Sequence, residues 1–387
     1  MKKFSFLIIA FAFIACSTET SNEDVKSPVA AYKALPNEFV RTVIIPNDSI
    51  IGVYNKIEIG FEGDREIIYG TNIMRGITDA FDLNQKTHLR TGYLNTDPSL
   101  LNVPLIETLL IGEDSILLFG VGGRVFLTNN ETSVINKWNF SQSVMPNDPS
   151  AAIASYNSGG SLFLHENLLY IRIAPQIALS SDKDFYEKPF LMEYDIAANK
   201  ITRTLGYFPA FMAENPDEFF YNEYQFSWLH SQSDKNKLLV SFRRSHDLMI
   251  LDLETEEQKF IPAKSKFLDK FQLIPRNQNA QLDYDPIITE GTYRTLMYDS
   301  YRDVYYRIVT HNQDQINPLT NRKNNPASRP YSIIVLDKDL NYLGESTIED
   351  YKKRSYLNVA VCSEGLIFIA GDDDESGVTF DILKILI

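Results

Sequence analysis

Cysteine is nearly absent from this sequence, since only Cys16 and Cys362 occur in 387 residues. Cys16 ends an apolar leader, so Cys362 has no partner for an internal disulfide. Cys362 lies in an apolar, strand-like run, VAVCSEGLIFIA, and is predicted to be buried as a small hydrophobic residue. The sequence places no general base near it, so a catalytic thiol is not indicated.

Motifs of metal and nucleophile chemistry are also missing. The histidines are His88, His165, His230, His246 and His311. Their spacing matches neither HExxH nor another metal-ligating pattern, and there is no G-x-S-x-G elbow or phosphate-binding glycine loop. The sequence therefore predicts no metal site and no cofactor.

Basic residues are fewer than acidic residues. Lys and Arg number 37 against 51 Asp and Glu, which gives a formal net charge of -14. A surface this acidic repels nucleic acid phosphates, whose binding depends on clustered Lys and Arg, so nucleic acid is excluded as a partner class. A hydrophobic fraction of 44% with 12% aromatic residues is typical of a globular protein.

The apolar run Phe4 to Ala15 is too short for a membrane-spanning helix, which needs about 20 apolar residues. It follows two lysines, as in the n-region and h-region of a signal peptide. Its end, Phe13-Ile14-Ala15-Cys16, resembles the bacterial lipobox, in which the cysteine is lipidated before cleavage. Residues 1–15 are therefore predicted to be a lipoprotein signal peptide and Cys16 the lipidation site. The alternative is an ordinary secretory peptide with an incidental cysteine.

This leader predicts an outer-membrane location, facing either the periplasm or the cell surface, with the membrane as a partner through the lipid anchor. Residues 16–36 are predicted to form the lipidated cysteine and a flexible tether, because Ser17 to Asp24 reads STETSNED and contains no apolar residue. In some Gram-negative groups an acidic stretch at this position resembles a signal for surface display. A solvated spacer is the alternative.

After the tether, short segments rich in Val, Ile, Leu, Phe and Tyr alternate with polar turns, and hardly any segment shows helical periodicity. Units of a strand, an acidic turn and a second strand recur as AFDLNQKTHLRTGYL at Ala80, MEYDIAANKITRTLGYF at Met192, MILDLETEEQKFI at Met249 and IIVLDKDLNYLGEST at Ile333. Each resembles the outer hairpin of a four-stranded propeller blade, with a more apolar inner pair before it.

The sequence therefore predicts an all-β protein, with a β-propeller over residues 37–387. Its units fall near residues 65–95, 105–140, 160–206, 224–262, 292–347 and 357–387, which gives six blades. The last unit is short of strands, and an N-terminal strand near Glu38 to Ile45 is expected to complete it and close the ring. Seven blades and a β-sandwich pair are the alternatives.

The lipobox, the repeated strand-Asp-turn-strand units and the closing segment IIVLDKDLNYLGEST…SEGLIFIAGDDDESGVTFDILKI resemble a family of bacterial outer-membrane lipoproteins of unassigned function that are predicted to form six-bladed β-propellers. The resemblance covers most of the chain after the leader and rests on pattern. It implies a propeller on the cell envelope, and it brings no catalytic residues.

Long loops are expected at 141–158, 174–188, 207–223, 264–290 and 311–329, where binding residues commonly lie. The third is rich in aromatic residues, which are Tyr207, Phe208, Phe211, Phe219, Phe220, Tyr221 and Tyr224, with Trp228 just beyond it. If exposed, they would stack on sugar rings or peptide side chains. The alternative is that they are buried in the core.

Two inner strands carry the same Tyr-x-Arg pattern: LLYIRI places Tyr170 and Arg172 where VYYRIV places Tyr305 and Arg307. Further basic residues nearby in sequence are Arg243, Arg244, His246, Arg294, Arg302 and His311. If the blades superpose, these residues form a cationic funnel that favours a carboxylate or sulfate, because guanidinium binds planar anions bidentately. The predicted ligand-binding residues are Arg172, Arg307, Tyr170, Tyr305, Arg243 and His246. The alternative is that the arginines pair with Asp and Glu between blades.

The sequence therefore predicts a cell-envelope lipoprotein that binds a ligand or scaffolds a partner, such as a glycan, a peptide or an outer-membrane protein. A propeller polysaccharide lyase or hydrolase that uses Tyr, His and Arg in the central funnel is the alternative. A bare structural role in the envelope is a third hypothesis. The fold class does not decide among them, because propellers host binding and catalysis alike.

Overall fold

The computed structural model describes residues 32–46, 54–94, 103–111, 115–121, 123–129, 133–140, 151–153, 162–175, 182–214, 217–220, 226–230, 234, 236–275, 285–370 and 377–387. Within them, antiparallel sheets of four or five strands follow one another along the chain, with only single-turn helices between them. Six such sheets form the blades of a β-propeller, so the predicted fold class is confirmed.

Strand β1 (Asn37–Pro46) comes first in the chain and belongs to the last blade. Blade I consists of β2 (Lys56–Glu62), β3 (Arg65–Asn72), β4 (Ile77–Asp82) and β5 (Thr87–Tyr93). Blade II consists of β6 (Leu105–Ile111), β7 (Ser115–Gly120), β8 (Arg124–Asn129) and β9 (Val134–Asn139). Blade III consists of β10 (Ala151–Ile153), β11 (Leu162–His165), β12 (Leu168–Pro175), then α1 (Lys183–Tyr186), β13 (Pro189–Asp195) and β14 (Lys200–Tyr207). Its inner strand is divided, because β10 and β11 pair with different halves of β12.

Helix α2 (Phe211–Glu214) and β15 (Glu218–Phe220) lead to blade IV, which consists of β16 (Phe226–His230), β17 (Lys237–Phe242), β18 (Asp247–Asp252) and β19 (Gln258–Pro262). Strand β20 (Leu273–Pro275) and α3 (Pro286–Thr289) lead to blade V, which begins with β21 (Tyr293–Asp299) and β22 (Val304–Thr310). After the hairpin of β23 (Ile316–Asn317) and β24 (Arg322–Lys323), blade V ends with β25 (Tyr331–Asp337) and β26 (Tyr342–Thr347). Blade VI consists of β27 (Arg354–Cys362), β28 (Gly365–Ala370), β29 (Gly377–Ile385) and β1.

Aspartates fix the turns of the outer hairpins. Asp82 Oδ1 accepts hydrogen bonds from the backbone N–H groups two and three residues further on, both at 2.9 Å. Asp252 accepts the same pair of bonds, and Asp195 and Asp337 accept bonds from backbone N–H groups of their own turns. The predicted role of aspartate in these turns is confirmed.

The two ends of the propeller carry different connections, because successive strands of each blade run in opposite directions. The connections from first to second and from third to fourth strand lie at one end, which we call the turn end, and only two residues join β2 to β3. The connections from second to third strand and from blade to blade lie at the other end, the loop end. Two of them, 263–292 and 311–330, are long and carry α3 and the β23–β24 hairpin. Pairing of β15 with β20 joins the connections on the two sides of blade IV.

The hydrophobic core lies between neighbouring blades, since successive residues of a strand face opposite sides of its sheet. In β17, Leu238 and Val240 pack against blade III, whereas Leu239 packs against blade V. The contact with blade III includes the rings of Phe190 and Phe242, whose centres are 5.7 Å apart at nearly a right angle. Because both faces of a blade are buried in this way, the inner strands read as continuous apolar runs.

Strand β1 is the outermost strand of blade VI and pairs antiparallel with β29 along its length. The residues before β1 also contact the propeller. Leu35 is buried, its N–H donates to the carbonyl oxygen of Glu345 at 3.0 Å, and the N–H of Glu345 donates to the carbonyl oxygen of Lys33 at 2.9 Å. The packed fold therefore includes residues 33–36, which the sequence analysis assigned to the tether. Leu35 is the single large apolar residue in this segment, so the sequence pattern did not indicate that the segment packs against the propeller.

Cys362 is fully buried in β27, as predicted, and burial raises the pKa of its thiol to about 11. Among the helices in the described residues, none has the length and apolar character needed to cross a membrane. Cys16 and the signal peptide lie outside the described residues, so lipidation stays a prediction.

Candidate functional site

The two predicted Tyr-Arg pairs lie on opposite flanks of blade IV. Tyr170 in β12 belongs to the cluster shared by blades III and IV, and Arg172 follows on the same side of the strand. Tyr305 in β22 belongs to the cluster shared by blades IV and V, and Arg307 follows on the same side. The pairs therefore do not repeat around the ring: one faces blade IV from blade III, and the other faces it from blade V.

Arg307 is completely buried, and its donors bind the protein itself. The acceptors are Ser241 Oγ at 2.9 Å and the carbonyl oxygens of Ser245 at 2.7 Å, His246 at 2.7 Å, Ala263 at 2.9 Å and Asp247 at 3.4 Å. The guanidinium carbon also lies 3.5 Å from the centre of the Tyr293 ring. Burial lowers the pKa of Arg307 to about 10, so the side chain is still a cation at neutral pH. Arg307 thus joins blade V to blade IV through carbonyl groups, whereas the sequence alternative was a pairing with Asp or Glu.

His246 lies beside Arg307 and is also held by the fold. Its Nδ1 is 2.9 Å from Tyr293 Oη, and its Nε2 is 3.2 Å from the carbonyl oxygen of Asp269. Burial lowers the pKa of His246 to about 4, with smaller contributions from the positive charges of Lys264 and Arg307. The ring is therefore neutral at neutral pH.

Tyr170 and Tyr305 are core residues, with almost no exposed surface. Tyr170 Oη donates to Glu193 Oε2 at 2.8 Å, and burial raises the pKa of the phenol. The ring of Tyr305 lies 5.0 Å from that of Tyr298. Neither tyrosine offers a surface to a ligand.

A cationic cluster forms at the loop end of three successive blades, from Arg172 in β12, Arg243 directly after β17 and Arg294 in β21. Burial lowers the pKa of Arg243 well below its usual value, and the charges of Arg294 and Arg172 lower it further. Arg243 and Arg294 are both partly exposed. Among the described residues, no group accepts a hydrogen bond from either guanidinium, and the buried Nε of Arg294 is unpaired.

Arg244 and Arg329 extend the cluster towards α3. Arg244 Nη1 lies 2.6 Å from Glu290 Oε2 and donates to the carbonyl oxygen of Gly291 at 3.1 Å. Arg329 donates to carbonyl oxygens at the C-terminal end of α3, namely those of Ile287, Ile288 and Glu290. Burial raises the pKa of the Glu290 carboxyl, and the two arginines oppose this effect.

Aromatic rings support two of these guanidinium groups. The guanidinium carbon of Arg294 lies 5.4 Å from the centre of the Tyr356 ring, and that of Arg244 lies 5.6 Å from the centre of the Phe271 ring. Tyr356 is buried, and its Oη donates to the carbonyl oxygen of Pro326 at 3.0 Å. A cation–π contact orients a guanidinium without using its N–H donors, so the donors of Arg294 can still bind an anion.

Arg302 and His311, which the sequence analysis placed near the funnel, are engaged elsewhere. Arg302 lies at the turn end, between β21 and β22, and its Nη1 is 2.7 Å from Asp299 Oδ2. His311 lies at the loop end, but its ring stacks on Phe267 with 4.0 Å between centres. Burial and, to a smaller extent, Lys266 lower the pKa of His311 to about 4.

The aromatic residues expected in the loop 207–223 divide into two groups. Phe208 is buried against Phe242, with 5.8 Å between ring centres, whereas Tyr207 and Phe211 are exposed. Outside the described residues lie Tyr221, Tyr224 and the side chains of Phe219, Phe220 and Trp228. The burial alternative therefore holds for Phe208.

Sequence reasoning missed Glu290, Arg329 and Tyr356. A signal for α3 was available, because Asp285 followed by Pro286 is a typical N-cap and first helical residue, and Asp285 Oδ1 accepts the N–H of Ile287 at 3.0 Å. No pattern indicated that Arg329 binds this helix from 41 residues away.

The turn end offers a different surface. A groove of about 820 Å³ lies there between blades V and VI, beside the C-terminal residues. Its lining mixes Arg302, Lys338 and Lys384 with Asp303, Asp337 and Asp339, so its charges balance. In the part of the chain that the structure describes, no group of three or more His, Cys, Asp or Glu is placed to hold a metal ion.

A family model for a domain of unknown function, DUF4221, matches residues 103–347, which covers most of the chain. The chain belongs to the DUF4221 family. A crystal structure of a DUF4221 member from Bacteroides vulgatus is similar over 92% of this chain and 99% of that chain, with 20% identity and a TM-score of 0.74. A crystal structure of a Bacteroides fragilis protein is similar over 93% of this chain and 98% of that chain, with 10% identity and a TM-score of 0.52. No curated protein matches the chain. At these identities the likeness shows the fold alone.

Proposed function

We propose that this DUF4221 protein is a lipid-anchored propeller of the cell envelope that binds an anionic ligand at its loop end through Arg243 and Arg294. The observation that carries the proposal is that both guanidinium groups are partly buried, while no described residue accepts a hydrogen bond from them. A carboxylate or sulfate group is the ligand chemistry that fits, because guanidinium binds such oxygens with charge-assisted hydrogen bonds.

The physical argument is the cost of an unpaired buried cation. Moving a guanidinium out of water is unfavourable by several kcal/mol unless an anion or a set of acceptors replaces the lost hydration. The positive charges of Arg294 and Arg172 add to this cost at Arg243. An anion that binds between Arg243 and Arg294 would relieve both effects, and the loss of repulsion would add to its affinity.

Of the six residues predicted to bind ligand, the proposal keeps Arg243 and adds Arg294, and it leaves out Arg172, Tyr170 and Tyr305 because they are buried. Arg307 is left out because it is fully buried with its donors bound to the protein. His246 is left out because its two ring nitrogens face Tyr293 and a backbone carbonyl.

Binding fits these residues better than the lyase or hydrolase alternative. Such an enzyme needs an acid and a base that reach the substrate. The ring of Tyr356 lies beside the guanidinium of Arg294, and its hydroxyl donates to a backbone carbonyl. Arginine stays protonated, so it orients an anion without transferring a proton.

The test is calorimetric titration of the purified full-length chain with malonate, a simple carboxylate probe, at constant ionic strength. We expect Arg243→Gln and Arg294→Gln each to weaken binding at least about tenfold, because each removes a charge-assisted hydrogen bond. Arg124→Gln removes the same charge from an exposed position of blade II and should bind like the parent. Equal affinity in all four proteins would refute the proposal.

The anchor is proposed from the lipobox at Cys16. Two or three acyl chains hold a protein on a bilayer stably, so the parent chain should fractionate with detergent-extracted membranes. A Cys16→Ala variant expressed with its leader should move to the soluble fraction. If the variant stays with the membranes to the same extent, Cys16 is not the anchor.

A further inference from the structure

The hairpin of β23 and β24 at the loop end carries aliphatic side chains that the fold leaves exposed. Leu319 at the tip of the hairpin is 93% exposed, and Ile316 in β23 is also exposed. The backbone of the tip is held in place, because Asn317 Oδ1 accepts the N–H of Leu319 at 2.9 Å. Ile287 in α3 is a third exposed aliphatic residue. Single exposed leucines are common on protein surfaces, whereas a group of aliphatic residues on joined connections indicates an interaction surface.

Hydrogen bonds join this hairpin to α3, and α3 in turn contacts the arginine cluster. Directly before β23, Gln315 Oε1 accepts the N–H of Asp285, the N-cap residue of α3, at 2.6 Å. At the other end of α3, Glu290 forms an ion pair with Arg244, which follows Arg243 in the chain. Helix α3 contains four residues and is therefore about 6 Å long. The exposed hairpin and the arginine site thus belong to one face of the loop end.

The connection that carries the hairpin is basic, although the protein as a whole is acidic. Residues 311–330 contain Arg322, Lys323 and Arg329 against Asp314, whereas the whole chain has a formal net charge of -14. Arg322 and Lys323 form β24 and are exposed, and among the described residues no acidic side chain pairs with either. This face therefore combines basic residues with exposed aliphatic side chains.

We propose that the loop end docks an acidic peptide segment of a partner protein, whose carboxylates bind Arg243 and Arg294 and whose aliphatic side chains cover Leu319 and Ile316. This inference rests on the proposed anion-binding function of the same site and names the class of its ligand. Further acidic side chains complement the two basic residues of β24. Burial of Leu319 and Ile316 against aliphatic side chains removes apolar surface from water, which adds to the affinity.

A peptide fits this face better than an anionic lipid surface does. Arg243 and Arg294 are partly buried, so a carboxylate has to enter the site to reach them. The side chains of a peptide extend separately from its backbone and can enter in this way, whereas the headgroups of a bilayer lie in one plane. Leu319 is accessible to either partner, so the test compares both.

The test is calorimetric titration of the purified full-length chain, at constant ionic strength, with a capped pentapeptide in which glutamate and leucine alternate. Matched peptides replace either the leucines with serine or the glutamates with glutamine. The glutamate-leucine peptide should bind at least about tenfold more tightly than its serine counterpart, because it also buries apolar surface. The glutamine peptide should lose binding, since it carries no carboxylate.

Substitutions on the hairpin test where the peptide docks. Leu319→Ser should weaken binding of the glutamate-leucine peptide at least about fivefold and leave the affinity for malonate unchanged. The matched control is Ile135→Ser, because Ile135 is an exposed aliphatic residue of β9 in blade II, and this variant should bind both probes like the parent. Arg322→Gln combined with Lys323→Gln should weaken peptide binding and reduce its dependence on salt.

The outcomes separate this inference from the proposed function. If the serine peptide binds as well as the glutamate-leucine peptide, or if Leu319→Ser binds the peptide like the parent, the docking surface is wrong, and a dependence of malonate binding on Arg243 still supports the anion site. If neither malonate nor peptide binding depends on Arg243 or Arg294, the proposed function itself fails. If the Cys16→Ala protein binds phosphatidylglycerol vesicles through Leu319 and binds no peptide, the hairpin contacts lipid and the inference is wrong.

Discussion

Buried arginines occur in two kinds of surroundings around blade IV. Arg307 and Arg329 are completely buried, and between them they bind backbone carbonyl groups of the loop-end connections and a serine hydroxyl. Arg243 and Arg294 are partly exposed residues, and no described residue accepts a hydrogen bond from either guanidinium. The first pair completes the hydrogen bonds of the fold, whereas the donors of the second pair have no acceptor among the described residues. Burial alone therefore does not separate the two kinds of arginine, whereas a count of the acceptors bound by each guanidinium does.

The largest expected effect is at Arg307. Replacing it with methionine, which fills similar volume, removes the donors for four carbonyl groups and Ser241. Unsatisfied buried acceptors cost about 1–3 kcal/mol each, and relaxation will recover part of this, so we expect a loss of about 3–5 kcal/mol in the free energy of unfolding. Urea denaturation measures it. A loss below about 1 kcal/mol would remove the distinction drawn between Arg307 and Arg243.

A smaller loss is expected at Arg329, which binds the C-terminal carbonyls of α3. The guanidinium satisfies these carbonyls and also interacts favourably with the negative end of the helix. For Arg329→Met we expect about 2–3 kcal/mol, together with faster hydrogen exchange in residues 285–290. Unchanged exchange there would show that α3 does not depend on this arginine.

The sequence patterns predicted the blades, but they did not predict which neighbouring blade each arginine faces. The turn aspartates, such as Asp82 and Asp252, recur because each turn needs the same local hydrogen bonds, so they mark the blades directly. Tyr170-x-Arg172 and Tyr305-x-Arg307 match as letters, yet they face opposite neighbours. A strand alternates with a period of two, so an alignment error of one residue moves every side chain to the other face.

Sequence reasoning predicted part of the cationic cluster at the loop end. Arg172 was chosen because its strand was aligned with that of Arg307, and Arg243 and Arg294 were added as basic residues nearby in sequence; the structure brings these three together. Glu290 and Arg329 come from long connections without hydrophobic periodicity, where no pattern of period two or 3.6 fixes a position. Their contacts depend on non-local packing of blade IV against blade V, which a single sequence does not encode locally.

The folded protein should be less stable at acid pH because of His246, which lies beside Arg307. His246 faces Arg307, Lys264, Tyr293 and the carbonyl of Asp269, and its pKa in the folded protein is lowered to about 4 from 6.5. The unfolded chain therefore binds more protons between these values, and stability falls as pH drops from about 6.5 to about 4. Solvent screens the partly exposed ring, so we expect about 2 kcal/mol from this group.

The measurement is urea denaturation of the parent and His246→Gln at a series of pH values. The difference in stability between the two proteins should shrink as pH falls through this range, because glutamine does not titrate. His311 has the same depressed pKa and stays in both proteins, so its contribution cancels in the difference. A difference that is constant with pH would mean that His246 is already charged, or freely solvated, in the folded state.

The smallest effect on stability is expected at Arg243 and Arg294, although both are more than half buried. Each substitution with glutamine removes a cation that is repelled by its neighbours and gives up no hydrogen bond to a described residue. In chloride buffer we therefore expect a change within about 1 kcal/mol, in either direction. Addition of malonate should stabilise the parent and Arg124→Gln but not the two variants, because a ligand raises stability only where it binds the folded state. If Arg243→Gln instead loses as much as Arg307→Met, Arg243 is also part of the fold, and the division of the buried arginines into two kinds is wrong.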